Sequence, residues 1–256
     1  MFNQAIVRRP SQNFAAGLTT YKGPPPNHKK AQEQHQAYCQ ALEKCGLKLT
    51  RLQPDKANPD STFVEDVAVL TKSTAILTRP GHKSRQAEVA KIRNPLKAVF
   101  KKIKEIKSPG TVDGGDICEA GNHFFIGISR RTNKAGAKQL ARFLAQSGHT
   151  TTEVDIRKMK SILHLKSGLA AIGKNQLVVM EEMADRPEFR GYEIIRVAPE
   201  ETYAANCVEV NKYILIPTGF PKLAADLTKR GFHLLPLEMS EFQKMDGGLS
   251  CLSLRF

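Results

Sequence analysis

The chain has 256 residues, of which 41% are hydrophobic and 25% charged, ordinary proportions for a globular protein and enough length to bury a large core as one domain over residues 1–256. No apolar run approaches the ~18 residues that cross a membrane, Arg8 and Arg9 follow the first apolar stretch instead of preceding it as a secretory signal requires, and five irregularly spaced cysteines without zinc-finger spacing point to a reduced, cytoplasmic protein. The net charge of +14 invites a polyanionic partner, but the lysines read as scattered and aromatics are only 7% of the chain, with no stacking platform, so neither nucleic acid nor membrane is expected to bind.

In chain order, a lone apolar strand at residues 5–8 opens into a loop from Gly17 to Pro26. Gly17 and Gly23 can hinge this loop and its prolines stiffen it, the makings of a lid. A helix is predicted from Asn27 to Lys44, with Ala31, Tyr38, Leu42 and Cys45 as its apolar stripe and Gly46 as its stop. A strand follows at 48–52. The next unit holds apolar strands ending near Leu70 and Leu77, a helix that Pro95 is expected to break, and a strand at 102–106. The third has the clearest helix, with Asn133 as cap, Ala137, Leu140, Ala141 and Leu144 as stripe and Gly148 as stop, then a strand near 153–156. The fourth is short and closes with a strand at 192–197. The fifth has a helix near 222–229, Gly231 as stop and a strand at 233–237.

These units repeat one recipe. Asp60, Asp113, His164, Asn206 and Asp246 each head a short strand, at spacings of 53, 51, 42 and 40 residues. Behind each of the first four lies a second, more apolar strand. The fifth, ending at Phe256, lacks one, and Ala5-Ile6-Val7-Arg8-Arg9-Pro10 reads like its missing counterpart, because it matches Ala75-Ile76-Leu77-Thr78-Arg79-Pro80. A period of about 40–50 residues signals an array. A last unit completed by the first strand closes that array into a ring. The expected fold is therefore an α/β, five-bladed, pseudo-symmetric propeller of ββαβ units, closed by pairing the N-terminal strand with the C-terminal one.

A ring places its five polar strand heads at the centre. They supply Asp60, Glu65 and Asp66, then Asp113 and Asp116, His164, Asn206, and finally Asp246 and Cys251. Gathered carboxylates in a basic protein suit a small cation. A cysteine beside a histidine suits nucleophilic catalysis, with the thiolate as attacking form and a carboxylate to orient the imidazole. Singly, each residue has a bland reading as packing, turn or solvated surface. Their recurrence at equivalent places in one ring is what argues for a site.

The chain resembles the dimethylarginine dimethylaminohydrolases, within the guanidino-modifying superfamily that includes arginine deiminases and amidinotransferases. The motifs that carry the resemblance are Pro59-Asp60-Ser61-Thr62-Phe63-Val64-Glu65-Asp66, Thr78-Arg79-Pro80-Gly81 with Ser84-Arg85, Asp113-Gly114-Gly115-Asp116, Gly127 with Arg131-Thr132-Asn133, Leu163-His164-Leu165-Lys166, Ala204-Ala205-Asn206-Cys207, and Asp246-Gly247-Gly248 with Cys251. They run in order along nearly the whole chain. The resemblance implies a five-unit propeller and hydrolysis of Nω-methylated arginine to citrulline and a methylamine, with no metal or other cofactor. It implies Cys251 as nucleophile, His164 as acid and then base, and Asp113 as its carboxylate support. Glu65 and Asp66 would grip the guanidinium with Asp60 nearby, and Phe63 belongs to the same pocket motif. Arg85 and Arg131 would hold the substrate carboxylate, Leu18 would lie in the lid, and Met245 would line the pocket. Such enzymes often pair as homodimers, and a homodimer is a compatible assembly here. Deimination of free arginine is the rival activity within the superfamily, and a non-catalytic cation-binding ring the rival outside it.

Overall fold

Short β-branched and aromatic runs, such as Gln4–Arg8, His123–Ile128 and Gln176–Met180, are the segments that form strands, because such side chains pack well on a pleated, buried surface. The computed structural model describes residues 1–256. Fifteen strands form five three-stranded sheets. In chain order they are β1 Gln4–Arg8, β2 Lys48–Leu52, β3 Ala68–Leu70, β4 Thr74–Leu77, β5 Lys102–Glu105, β6 Ile117–Ala120, β7 His123–Ile128, β8 Thr150–Asp155, β9 Leu169–Ile172, β10 Gln176–Met180, β11 Glu193–Val197, β12 Val208–Val210, β13 Tyr213–Pro217, β14 His233–Leu237 and β15 Ser253–Arg255.

Every sheet has the same logic. An inner strand pairs antiparallel with a middle strand, as β6 does with β7. The middle strand then pairs parallel with an outer strand reached through a crossover, as β7 does with β8. The sheets β3-β4-β5, β6-β7-β8, β9-β10-β11 and β12-β13-β14 are each contiguous in sequence, whereas the remaining one is β15-β1-β2. The predicted closure is thus present, with Ala5 opposite Arg255, Ile6 opposite Leu254 and Val7 opposite Ser253. Phe256 N–H donates to Gln4 O at 3.0 Å, and Gln4 N–H returns the bond to Phe256 O at 2.9 Å. Joining the two ends leaves no open blade in the ring.

The crossover helices are α1 His28–Lys44, α2 Glu88–Lys97, α3 Lys134–Ala145 and α4 Pro221–Lys229. The side chain of Asn27 caps α1 by accepting from Lys30 N–H, and Asn133 caps α3 by accepting from Gly136 N–H. Gly46 and Gly148 follow α1 and α3 at φ of +93° and +83°, a conformation that carries little penalty without a side chain. The α3 stripe of Ala137, Leu140 and Leu144 is fully buried beside Phe124 and Ile126 of β7. Each of the two leucines contributes about 2 kcal/mol.

Three expectations need correction. Pro95 does not break its helix: α2 runs through it to Lys97, with Leu96 fully buried and accepting from Phe100 N–H. Proline removes one helical bond, and burial of Ile92 and Leu96 on either side outweighs that loss. The fourth unit has no α-helix; its crossover is made of 3₁₀ turns at Glu181–Met183 and Pro187–Phe189. Its Met183 and Phe189 fill the space a helical stripe would take. The third unit's closing strand begins at Thr150, earlier than predicted, because β8 follows the full length of β7. A further short helix, α5 Ser240–Gln243, precedes the last inner strand.

Candidate active site

The polar heads do not lie in the strands themselves: Asp60 sits in the 3₁₀ turn Pro59–Thr62, and Asp113, His164, Asn206 and Asp246 flank the 3₁₀ turns Gly114–Asp116, Leu165–Ser167, Pro199–Ala205 and Ser250–Leu252, which with Val64–Val67 lead into the inner strands. The Val64–Val67 turn touches both the Ser250–Leu252 and the Gly114–Asp116 turns. The Leu165–Ser167 turn touches the Gly114–Asp116 and Pro199–Ala205 turns. Residues distant in sequence therefore meet around one axis.

Asp113 is fully buried. Its Oδ1 accepts from Gly81 N–H at 2.7 Å and its Oδ2 faces His164 Nε2 at 3.0 Å. Asp66 stands beside the pair, with one ligand-type atom each of Asp66, Asp113 and His164 within 4.8 Å of one another. Its Oδ1 accepts from Gly115 N–H at 2.8 Å, and Arg85 donates to its Oδ2. Burial disfavours the Asp66 carboxylate, but the charges of His164 and Arg85 and the Gly115 amide outweigh it and hold the group well below the ordinary carboxylate range. Burial likewise disfavours imidazolium at His164. The Asp66 charge, the bond to Asp113 and the Asp116 charge overcome it and raise His164 to about 9. At neutral pH the imidazole is therefore a cation with a proton to give. These three side chains are also the group that could hold a cation, and with Arg85 and protonated His164 present two positive charges already face two carboxylates.

Asp116 supports the histidine turn from behind. Its Oδ1 accepts from Leu165 N–H at 3.1 Å, and its Oδ2 accepts from Ser129 and Thr132 hydroxyls at 2.6 Å each. Burial pushes its pKa up to about 6, opposed by the His164 charge and the two hydroxyls. Gly115 provides the space between His164 and Asp66. A Cβ there would stand 2.8 Å from His164 Nδ1 and 2.9 Å from Asp66 Oδ1. Gly115 is not among the residues with positive φ, so alanine can adopt its backbone. Gly115→Ala is accordingly expected to fold normally and to lower kcat about 100-fold by displacing the imidazole; turnover near the wild-type level, with an unchanged circular dichroism spectrum, would contradict this.

Cys251 sits in the last 3₁₀ turn, and Gly248 N–H points at its Sγ from 3.4 Å. Burial is the largest influence on the thiol, and the charges of Glu65 and Asp66 add to it, pushing its pKa to about 12; the Gly248 amide and Lys166 oppose them. Relative to an ordinary cysteine this favours the thiol by ~4 kcal/mol. Asp66 thus favours the protonated form of both Cys251 and His164, a neutral thiol and a cationic imidazole. Asn206 fixes the turn, with its Oδ1 accepting from Ser250 N–H at 2.9 Å and its Nδ2 donating to Ser250 Oγ at 3.0 Å and Lys166 O at 2.7 Å. Cys251 opens onto a cavity of about 620 Å³, shared with Thr20, Tyr21, Arg130, Leu163 and Tyr203.

The loop from Gly17 to Pro26 lines this cavity with Thr20 and Tyr21. Leu18 N–H donates to Asp60 Oδ1 at 2.9 Å, Thr20 N–H and Oγ1 donate to Asp246 at 2.6 and 2.8 Å, and Thr19 Oγ1 donates to Lys244 O at 2.6 Å. Asp246 is held at φ +55°, which turns its carboxylate toward the loop. A Cβ on Gly17 would meet Asp60 Oδ1 at 2.5 Å and the Met245 methyl at 3.2 Å, so the hinge glycine is also a contact that only glycine permits. Met245 is buried. Phe63 is buried against Phe14 and Phe242, with centroids 5.9 and 6.3 Å away, and covers the place where a Gly247 side chain would stand.

Two sequence-based assignments sit differently from the expectation. Glu65 faces away from a free gripping role: it accepts from Ser250 Oγ at 2.8 Å, pairs with Lys166 Nζ at 2.5 Å and lies 3.7 Å from Arg255. Arg85 is fully engaged inside the protein by Asp66, both oxygens of Glu88 and the carbonyls of Asp60 and Phe63. To reach a ligand carboxylate it would have to give up one of these. Arg131, by contrast, has its guanidinium 4.0 Å from Asp113 with no shorter side-chain bond. Ser250, Lys166, Arg255 and Glu88, the partners that orient these groups, were not assigned from sequence. Only Glu88, three residues after Arg85 at the start of α2, had a local signal.

The family model described as N,N dimethylarginine dimethylhydrolase, eukaryotic, matches residues 21–251. An N(G),N(G)-dimethylarginine dimethylaminohydrolase of Pseudomonas aeruginosa is 41% identical over 100% of both chains, and one of Streptomyces coelicolor is 33% identical over 98% of this chain and 96% of that one. The solved structure of the Pseudomonas aeruginosa enzyme, a cysteine-to-serine mutant complexed with citrulline, superposes with a TM-score of 0.96 at 40% identity, covering 100% of each chain.

Proposed function

The chain belongs to the dimethylarginine dimethylaminohydrolase family, and from that premise we propose that it hydrolyses Nω-methylated arginine to citrulline and dimethylamine or methylamine. The observation that carries the reading is the meeting of Asp66, Asp113 and His164 from separate blades within 4.8 Å, next to the turn from which Cys251 opens onto the cavity. A citrulline-bound relative of the same fold supports the product.

The guanidinium carbon is made reactive by holding the planar cation against Asp66, with Asp60 near the lid. Cys251 is a thiol in the ligand-free protein, and the cation beside it supplies the positive charge that Lys166 alone does not, favouring thiolate at the moment of binding. Sulfur adds to the carbon. Protonated His164 gives its proton to the departing amine, and the C–N bond breaks to leave an S-alkylthiouronium on Cys251. Neutral His164, oriented by Asp113, then takes a proton from water as the water oxygen adds to the same carbon. The C–S bond breaks, citrulline forms and the thiol is restored. Arg131 would take the substrate carboxylate, while Arg85 acts by holding Asp66 in place. The Leu18 segment closes the cavity over the substrate, and Phe63 and Met245 form the apolar support beneath it.

The test is citrulline and amine release from dimethylarginine, monomethylarginine and arginine, compared in one assay. Methylated substrates are expected to turn over and arginine to lag. Preference for arginine would make this a deiminase, and no citrulline from any of the three would remove the enzymatic reading.

A further inference from the structure

Residues 97–107 and 134–142 are 20 of 256 residues, yet with eight cationic side chains against the single carboxylate of Glu105 they carry +7, half of the net charge of +14. In sequence they are two separate stretches. In the fold they form one face. β5 is the outer strand of its sheet, and α3 of the next blade lies alongside it: Lys107 N–H donates to Gln139 Oε1 at 2.9 Å, Gln139 Nε2 donates back to Lys107 O at 2.8 Å, and Lys104 reaches Gln146. Lys104 Nζ and the Arg142 guanidinium both lie over the Phe143 ring, 5.0 and 5.4 Å from its centre. Lys97, Lys101, Lys102, Lys107, Lys134, Lys138 and Arg142 are exposed. Glu105 is already held by Arg93 and Lys107.

We propose that this face docks the protein on an anionic lipid bilayer. Three observations favour lipid over nucleic acid. Lysine outnumbers arginine seven to one on the face, and lysine attracts charge without the bidentate geometry that reads bases. Val99, at the turn between Lys97 and Lys101, is 40% exposed and is held outward by Phe100, which is buried against Phe256; an apolar tip ringed by lysines suits the headgroup layer. Phe143 is covered by its two cations, so it offers no free ring for base stacking. No helix is long and apolar enough to cross a membrane, so the association is peripheral. The proposal does not rest on the catalytic reading, since none of these side chains reaches the cavity.

Sedimentation with phosphatidylcholine vesicles containing one-third phosphatidylglycerol tests it, against phosphatidylcholine alone. Binding is expected to the anionic vesicles only, and to be lost between roughly 0.02 and 0.5 M salt. Each lysine removed is expected to lower binding about fivefold. The triple reversal Lys97→Glu, Lys101→Glu, Lys102→Glu should therefore lower it at least ~100-fold while turnover is unchanged. The same reversal at Lys29, Lys48 and Lys212, exposed elsewhere, should lower it far less. Absence of vesicle binding at low salt would overturn the proposal. So would equal losses in the two triple variants, or binding of an oligonucleotide without binding of vesicles.

Discussion

Cys251→Ser should abolish citrulline release, by on the order of 10⁴-fold or more, while dimethylarginine still binds. The substitution removes the atom that adds to the guanidinium carbon but keeps a small side chain in the same turn. The groups proposed to contact the substrate, Asp60, Asp66 and Arg131, do not depend on the sulfur for their positions; their partners are Leu18, Gly115, Arg85 and Asp113. Calorimetric titration with dimethylarginine measures the retained affinity, and the citrulline assay measures the loss. Wild-type turnover in this variant would move the nucleophile elsewhere. The state of the thiol gives a companion result. With its pKa pushed to about 12 by burial and by the charges of Glu65 and Asp66, the ligand-free enzyme should react slowly with iodoacetamide at neutral pH and progressively faster well above pH 9. Occupying the site with an inert guanidinium small enough to leave the sulfur accessible should raise the neutral-pH rate. A plateau of the ligand-free rate near pH 7 would mean that the protein alone generates the thiolate.

Periodicity is what makes Cys251, His164 and Asp113 expected neighbours. Five polar-headed strands at similar intervals define equivalent positions in a ring, and equivalent positions meet at its axis. Ring closure was legible for a related reason, since Ala5-Ile6-Val7 repeats the pattern of the middle strand Ala75-Ile76-Leu77 and had no partner of its own. Other features depend on side chains with no local signature. Nothing near Glu65 in sequence indicates that Ser250, Lys166 and Arg255 converge on it from other blades. Nor does a linear charge count show that Lys104 and Arg142 share the Phe143 ring. The Pro95 expectation fails because helix propensity weighs one lost hydrogen bond, whereas the helix is held by Ile92 and Leu96 in a core assembled from four strands and the Val64–Val67 turn.

His164→Gly should reduce turnover of dimethylarginine by ~10³-fold through both halves of the reaction. The first half needs a proton for a poor amine leaving group, and the second needs a base for water. The two can be separated. An isothiourea analogue that releases a thiolate needs no proton from the protein, so Cys251 should still be modified by it, and the adduct should then persist because nothing activates water. Mass spectrometry of the intact protein would show the added amidino group, and added imidazole should hasten its loss. Rapid clearance of the adduct without imidazole would assign the base to another residue. The pH dependence carries a sign that checks the same assignment. His164 has a folded pKa of about 9 against an ordinary 6.5, raised because Asp66, Asp113 and Asp116 outweigh its burial. A raised pKa favours the folded state fully below pH 6.5, and that contribution is lost as pH rises through about 9. Urea midpoints should therefore fall between these values in the wild type and change less in His164→Gly. In the wild type kcat should fall on the alkaline side of the same range, because the leaving amine then meets a histidine with no proton to give.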